Sequence, residues 1–338
     1  MYTTENKSIQ EYTSGLQHNI KHKAHNYNGG KNMNYRPEGC YFRTAANQRY
    51  ISSMEALTEA MEKGIILEAR AELCDRAHNL IIALPCCKGV IPREEGAVGI
   101  SEGKVRDIAL ISRVNKIVCF RVASIGIGND GKPVAVLSRR VVQEECTKNY
   151  IDKLVSGDVI EARVTHIERF GCFVDIGCGI SSMIPIDAIS VSRISDPSDR
   201  FAVGQYIRAV VKGKDQERVF LSHKELLGSW EQNAAEFEAG ETVSGIVRSV
   251  EEYGIFVELA PNLAGLAEPK ENVSAGQNVS VYIKAIIPEK MKIKLVIVDV
   301  CEETEQTNEA KYYNDSGHID FWRYSTESCG KFIGTIFN

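Results

Sequence analysis

An internal repeat constrains this 338-residue chain more than any other feature. Three segments align without gaps from a starting glycine: Gly64-Ile65-Ile66-Leu67-Glu68, Gly157-Asp158-Val159-Ile160-Glu161 and Gly240-Glu241-Thr242-Val243-Ser244. Thirteen residues on stand Ala77, Phe170 and Tyr253, and the next positions are His78, Gly171 and Gly254. Sixteen residues on stand Leu80, Phe173 and Phe256, and twenty-eight on stand Pro92, Pro185 and Glu268. The later halves match as well: Leu137-Ser138-Arg139-Arg140 closes the first unit as Leu221-Ser222-His223-Lys224 closes the second. The starts lie 93 and 83 residues apart, too far for a solenoid, so each unit is read as a duplicated domain.

Each unit reads as strands. In the middle one, Val159–Ile167, Phe173–Ile176, Ser182–Ile184, Tyr206–Lys212 and Arg218–Leu221 are short, β-rich runs broken by turn residues. Five such strands in about 70 residues suit a small closed barrel. The first unit carries an apparent added hairpin over Arg106–Ile111, Lys116–Ser124 and Pro133–Leu137. Short helices join the units, signalled by Ser52 with Glu55 and by Ser229 with Gln232, three residues apart as in a capping box. Trp230 is read as core.

The expected architecture is all-β: three tandem five-stranded barrels. A disordered basic segment spans 1–50, the first repeat 51–145, the second 155–226 and the third 239–299. An acidic linker and aromatic tail occupy 300–338, with Ile319–Tyr324 folding back onto a barrel.

Strand period two divides the second strands into faces. Val174 and Ile176 point one way, while Gly171, Phe173 and Asp175 point the other. The third unit repeats this with Ile255 and Val257 inward, and Gly254, Phe256 and Glu258 outward. A ring between glycine and carboxylate on a solvent face does little for folding, but it offers a surface on which a base stacks. Phe170 and Tyr253 at the strand mouths are placed to hold the next base. The first unit has Ala77 and Leu80 instead, and its outward row His78, Leu80 and Ile82 is read as a docking surface.

These motifs, Phe/Tyr-Gly-x-Phe-Val and the terminal Arg-Val-Phe-Leu-Ser among them, resemble the S-one RNA-binding domain family. The likeness covers 157–226 and 240–299 well and 64–142 poorly. It implies an OB-type barrel whose binding face uses two aromatics, a histidine, an acid and a basic residue. The aromatics correspond to Phe170 and Phe173, then to Tyr253 and Phe256; the basic residue corresponds to Arg218 and Lys292. Pro185 and Glu268 stand where the family has histidine, and Lys214 or Asp215 stands near the acid position. Lys214 is counted with the RNA-contacting residues. The chain as a whole resembles the shorter S-one-like ribosomal proteins of Gram-positive bacteria, which implies a role in translation.

Charge permits this reading. The net charge is −5, low for a duplex-DNA binder, but unevenly spread. Residues 1–50 carry seven Lys/Arg against three Asp/Glu, residues 64–142 twelve against eight, and residues 300–338 three against seven. Ten cysteines without a C-x-x-C pair read as reduced cytosolic thiols. No run suits a signal peptide or a membrane span.

Rival motifs fare worse. Gly126-Ile127-Gly128-Asn129-Asp130-Gly131-Lys132 matches phosphate-loop patterns, yet Pro133 and a strand-like run follow instead of a helix. It is read as a hairpin turn. His18, His22 and His25 have metal-like spacing within a low-complexity segment and are read as a chance cluster.

The expectation is a cytoplasmic binder of single-stranded RNA or mRNA, partnered by the ribosomal small subunit. It is expected to have no catalytic residues, cofactor, metal, membrane or small-molecule substrate. An RNA-decay or regulatory cofactor and a protein scaffold of little RNA affinity are the rival readings.

Overall fold

β-Branched and aromatic runs of four to eleven residues, broken by glycine-bearing turns, fold into three closed five-stranded barrels in the computed structural model. The structure describes residues 35–128, 130–215, 218–301 and 310–337. Barrel 1 consists of β1 (Leu67–Cys74), β2 (Leu80–Ala83), β3 (Lys88–Ile91), β4 (Ile117–Ile127) and β5 (Pro133–Ser138). Barrel 2 consists of β6 (Val159–Glu168), β7 (Gly171–Asp175), β8 (Ser181–Pro185), β9 (Tyr206–Lys214) and β10 (Val219–Ser222). Barrel 3 consists of β11 (Thr242–Glu251), β12 (Gly254–Ala260), β13 (Leu263–Ala267), β14 (Asn278–Ile287) and β15 (Lys292–Cys301). Each closes through one parallel pair, β3 with β5, β8 with β10 and β13 with β15. Closure leaves no bare sheet edge.

The connecting helices are α1 (Ala45–Ile51), α2 (Met54–Glu62), α3 (Ile108–Ile111), α4 (Arg140–Asn149) and α5 (Trp230–Ala234). Two expectations shift here. The second helix is capped by Ser53, whose side chain accepts from Ala56 N–H; Ser52 closes the helix before it. Residues 108–111 are helical, so barrel 1 has no added hairpin. The capping box at Ser229 and Gln232 forms in both directions, and Trp230 is buried.

The N-terminal boundary also moves. Residues 35–50, expected to be disordered, belong to the folded body, while 1–34, including His18, His22 and His25, lie outside the described residues. Residues 36–42 form a strap that joins barrels 1 and 2 through backbone donors. The Gly39, Tyr41 and Phe42 N–H groups donate to the Glu68 carboxylate of barrel 1, and Glu38 N–H donates to Asp175 of barrel 2. Glu38 accepts from Arg139 Nε at 2.7 Å, both side chains being buried. Removing either partner would leave an uncompensated buried charge. Helix α4 strengthens the seam by placing Val142 and Cys146 in the core of barrel 2.

A second seam joins barrels 2 and 3. Fully buried Asn262 accepts from Val191 N–H and donates to the Lys224 and Gly228 carbonyls. The C-terminal tail covers this seam. Its hairpin, β16 (Phe321–Arg323) with β17 (Gly334–Ile336), carries Trp322 into the core of barrel 3, beside Ile319, Tyr324 and Phe337. All ten cysteines are free thiols, four of them buried.

Candidate nucleic-acid interface

Barrel register decides which side chains line up outside. In barrel 2, a bulge between Val164 and His166 precedes the pairing of His166 with Phe173. Phe173 then pairs with Met183, and Met183 with Phe220. The four residues form one outward row across β6, β7, β8 and β10, about 14 Å long at the usual strand spacing. Phe170 stands at the turn end of this row. Its ring is exposed and meets Phe173 edge-on, with centroids 6.2 Å apart and planes at 88°. The His166 ring stacks with Phe173 at an interplanar angle of 28°, also with centroids 6.2 Å apart.

Barrel 3 repeats the row as Ser249, Phe256, Leu266 and Lys294. Tyr253 takes the place of Phe170, 6.2 Å from Phe256 at 86°. In both barrels a glycine follows the turn aromatic because the neighbouring strand leaves no room for a side chain. A Cβ at Gly171 would lie 2.4 Å from the Ile184 carbonyl oxygen, and one at Gly254 2.6 Å from that of Ala267.

The sequence reading placed four of its seven site residues within these rows: Phe170, Phe173, Tyr253 and Phe256. Arg218 and Lys292 are both exposed, each two residues before a row residue: Arg218 just ahead of β10 and its Phe220, Lys292 at the start of β15 and its Lys294. Lys214 does not join the site. Its ammonium donates to the Asp152 carbonyl at 2.6 Å, tying β9 to the preceding linker.

Six row residues escaped sequence reading: His166, Met183 and Phe220 in barrel 2, and Ser249, Leu266 and Lys294 in barrel 3. His166 looks inward by simple alternation with Val164, and the bulge turns it outward. Phe220 and Lys294 follow from alternation with buried Val219 and Leu221, and with Ile293 and Leu295.

The flanking carboxylates require a correction. Asp175 and Glu258 do point away from their barrels, but neither meets solvent. Asp175 lies under the strap and accepts from the Glu38, Gly177 and Gly179 N–H groups. Burial pushes its carboxyl up to about 7. Glu258 is held by Arg200 at 2.5 Å and Arg248 at 2.8 Å. The surface left open is the aromatic row itself.

Barrel 1 requires a larger correction. Leu80 and Ile82, expected outside, are fully buried in the barrel's own core, and the outward row is Leu73, Ile81, Val90 and Val136. The cause is one extra residue in the turn. Asp75–Asn79 separates the paired Cys74 and Leu80, whereas Glu168–Gly171 separates the paired Ile167 and Cys172. The Asp75 carboxylate holds the longer turn by accepting from Ala77 and Asn79 N–H, and His78 adopts a left-handed φ of 62°. A one-residue slip exchanges the two faces of a strand, so the gapless alignment names the wrong residues here.

The glycine-rich motif is a turn. Gly128 N–H donates to the Lys132 carbonyl, Lys132 N–H donates to Asp130, and strand β5 follows at once; Asn129 lies outside the described residues. Among the described residues no helix is long and apolar enough to cross a membrane.

Residues 153–224, the whole of barrel 2, match the S1 RNA binding domain. The small ribosomal subunit protein bS1 of Staphylococcus saprophyticus is 31% identical over 209 residues, covering 55% of this chain and 52% of that protein. The bS1 homolog of Bacillus cereus is 32% identical over 196 residues, covering 53% and 51%. A crystal structure of a Streptococcus pneumoniae multidomain protein with nucleic acid binding domains covers 72% of this chain and 76% of that one. It does so at 13% identity and a TM-score of 0.24. The chain spans about half the length of the curated relatives it matches. The chain thus holds three five-stranded barrels, the middle one matching the S1 RNA binding domain, and over about half its length it is similar to bS1 proteins of Gram-positive bacteria.

Proposed function

We propose that barrels 2 and 3 hold single-stranded RNA, mRNA in particular, against the ribosomal small subunit in the cytoplasm, without covalent chemistry. One observation carries this reading. Two barrels built from different residues present the same edge-on aromatic pair, Phe170 with Phe173 and Tyr253 with Phe256, at one separation and nearly one angle. Unstacked bases find ring faces there, whereas a duplex keeps its bases stacked on one another. Arg218, Lys292 and Lys294 supply charge for the backbone beside each row. The relatives named as ribosomal proteins support the translational setting. The aliphatic row of barrel 1 favours a second role for that barrel alone, contact with a protein surface.

Crosslinking in cells, with sequencing of the recovered RNA and sedimentation of ribosomal particles, tests the reading. The expected result is mRNA fragments joined at barrels 2 and 3 and the chain migrating with the small subunit. Recovery of no RNA contradicts the proposal. RNA recovered only away from ribosomes would reassign the chain to RNA decay or regulation.

A further inference from the structure

The binding rows leave unused a cleft of about 440 Å³ beside barrel 1, between the strap, helices α1 and α2 and strand β4. Three tyrosines line it, Tyr35, Tyr41 and Tyr50, with Ile65, Lys63 and Arg121. None of these residues belongs to an outward row. The cleft is of the size that takes a small molecule rather than a protein segment.

Its electrostatics are specific. Glu59 pairs with both Arg49 at 2.5 Å and Lys63 at 2.6 Å, and Glu145 pairs with Arg121 at 2.6 Å. Of these cations Lys63 and Arg121 line the cleft, and Arg49 shares Glu59 with Lys63. Each cation keeps donors beyond those pairs, since an ammonium has three N–H groups and a guanidinium five. The Arg49 guanidinium lies over the Tyr50 ring, 4.8 Å from its centroid. Arg121 rests against the backbone where Gly64, at a φ of +59°, has no side chain; a Cβ there would sit 3.2 Å from Nη1. Arg121 Nε is buried without a hydrogen-bond acceptor. Three tyrosines beside one forked and one point cation, each with donors to spare, suit a planar ring that carries a phosphate.

We propose that this cleft is a second, separate ligand site, specific for a nucleoside phosphate. The nucleobase lies among the tyrosine rings and the phosphate faces Lys63 and Arg121. Such a group comes either from a free nucleotide or from the phosphorylated end of an RNA strand. The inference goes beyond single-strand binding on the rows and does not depend on it.

Calorimetric titration of the full chain tests the proposal. The probes are GDP, ATP, guanosine, inorganic phosphate, and a hexauridine with and without a 5′-phosphate. At least one phosphorylated nucleotide or the 5′-phosphorylated oligomer is expected to bind one to one, with guanosine and inorganic phosphate at least tenfold weaker. Lys63→Glu, at an exposed position, should weaken that binding about tenfold or more, as loss of a charge-assisted contact does. Ala46→Trp, which fills the cleft from exposed helix α1, should abolish it while melting stays unchanged. Should Ala46→Trp fail to fold, Lys63→Glu decides alone. Phe173→Ala with Phe256→Ala should leave nucleotide binding intact while removing row-dependent RNA binding, which separates the two proposals. Saturation by GDP or ATP assigns the free nucleotide as the source; a response only to the 5′-phosphorylated oligomer assigns the RNA end. No binding by any phosphorylated probe, or binding unaffected by both cleft variants, overturns the inference.

Discussion

Barrels 1 and 2 share strand order and nearly the same register, yet they present opposite chemistry to solvent. The equivalent rows are Leu73, Ile81, Val90 and Val136 in one, and His166, Phe173, Met183 and Phe220 in the other. The inner walls are alike: Leu80 and Ile82 fill barrel 1 as Cys172 and Val174 fill barrel 2. Folding demands an apolar inner face and places little demand on the outer one. The outer row is therefore where two barrels of one repeat diverge in what they present to solvent.

The seams divide in the same way. Arg139 and His223 occupy one repeat position and both are buried. Arg139 is charged and pairs with Glu38. His223 is kept neutral, with Nδ1 at 3.0 Å from the Ile189 carbonyl and its ring edge-on to Phe201 and Tyr312. Burial lowers its pKa from 6.5 to about 4.

The largest expected effect tests the face reversal in barrel 1. Leu80→Ala should cost roughly 2–5 kcal/mol, as core leucine truncations do, and Ile81→Ala distinctly less. Denaturant unfolding of both variants measures this. Equal costs would mean that the two faces are not distinguished.

Acid should break the comparison at the seams. A histidine whose folded pKa is depressed binds fewer protons folded than unfolded between pH 6.5 and about 4. The stability it contributes is present above 6.5 and is lost as pH falls through about 4. The loss reaches roughly 3 kcal/mol. At the other seam, burial raises Asp175 and Glu68 to about 7, so their protonation on acidification favours the fold. Glu38, held against the cost of burial below the usual carboxylate range by Arg139, opposes this only in stronger acid. Hydrogen exchange at pH 5 should loosen the tail over 312–337 before the strap over 36–42. His223→Gln should flatten the dependence of melting on pH between 6.5 and 4.

A smaller effect sharpens the contrast by transplanting it. Ile81→Phe puts a ring in barrel 1 at the position of Phe173. One stacked base contributes roughly 1–3 kcal/mol, and without a turn aromatic beside it the gain should lie at the lower end, about fivefold in RNA affinity. Titration of the full-length variant reads this directly.

Much of this was legible in the sequence. Alternation located the five strands of the middle unit and the inward Val174 and Val257. The Gly-x-Phe spacing located the paired rings of barrels 2 and 3. The rest depended on events that alternation does not record. One inserted residue between Cys74 and Leu80 reversed a strand, and one bulge after Val164 turned His166 outward. The parity of Asp175 and Glu258 was right while their exposure was wrong, because their covers come from distant chain. Glu38 lies 137 residues from Asp175, and Arg200 lies 58 from Glu258. The strap itself has no apolar periodicity. It is held by backbone N–H donors to carboxylates, a pattern that residue type does not reveal.

The central claim is that outward aromatic rows, not barrels as such, bind the RNA. The direct measurement is titration of one single-stranded RNA against full-length Phe173→Ala, Phe256→Ala, their double variant and Ile81→Ala, with melting of each. The account predicts losses of about tenfold for each single ring variant and about the product for the double. It predicts unchanged affinity for Ile81→Ala and small melting shifts for all four. Melting that collapses in the ring variants with affinity per folded molecule unchanged, or a loss for Ile81→Ala as large as theirs, would contradict it.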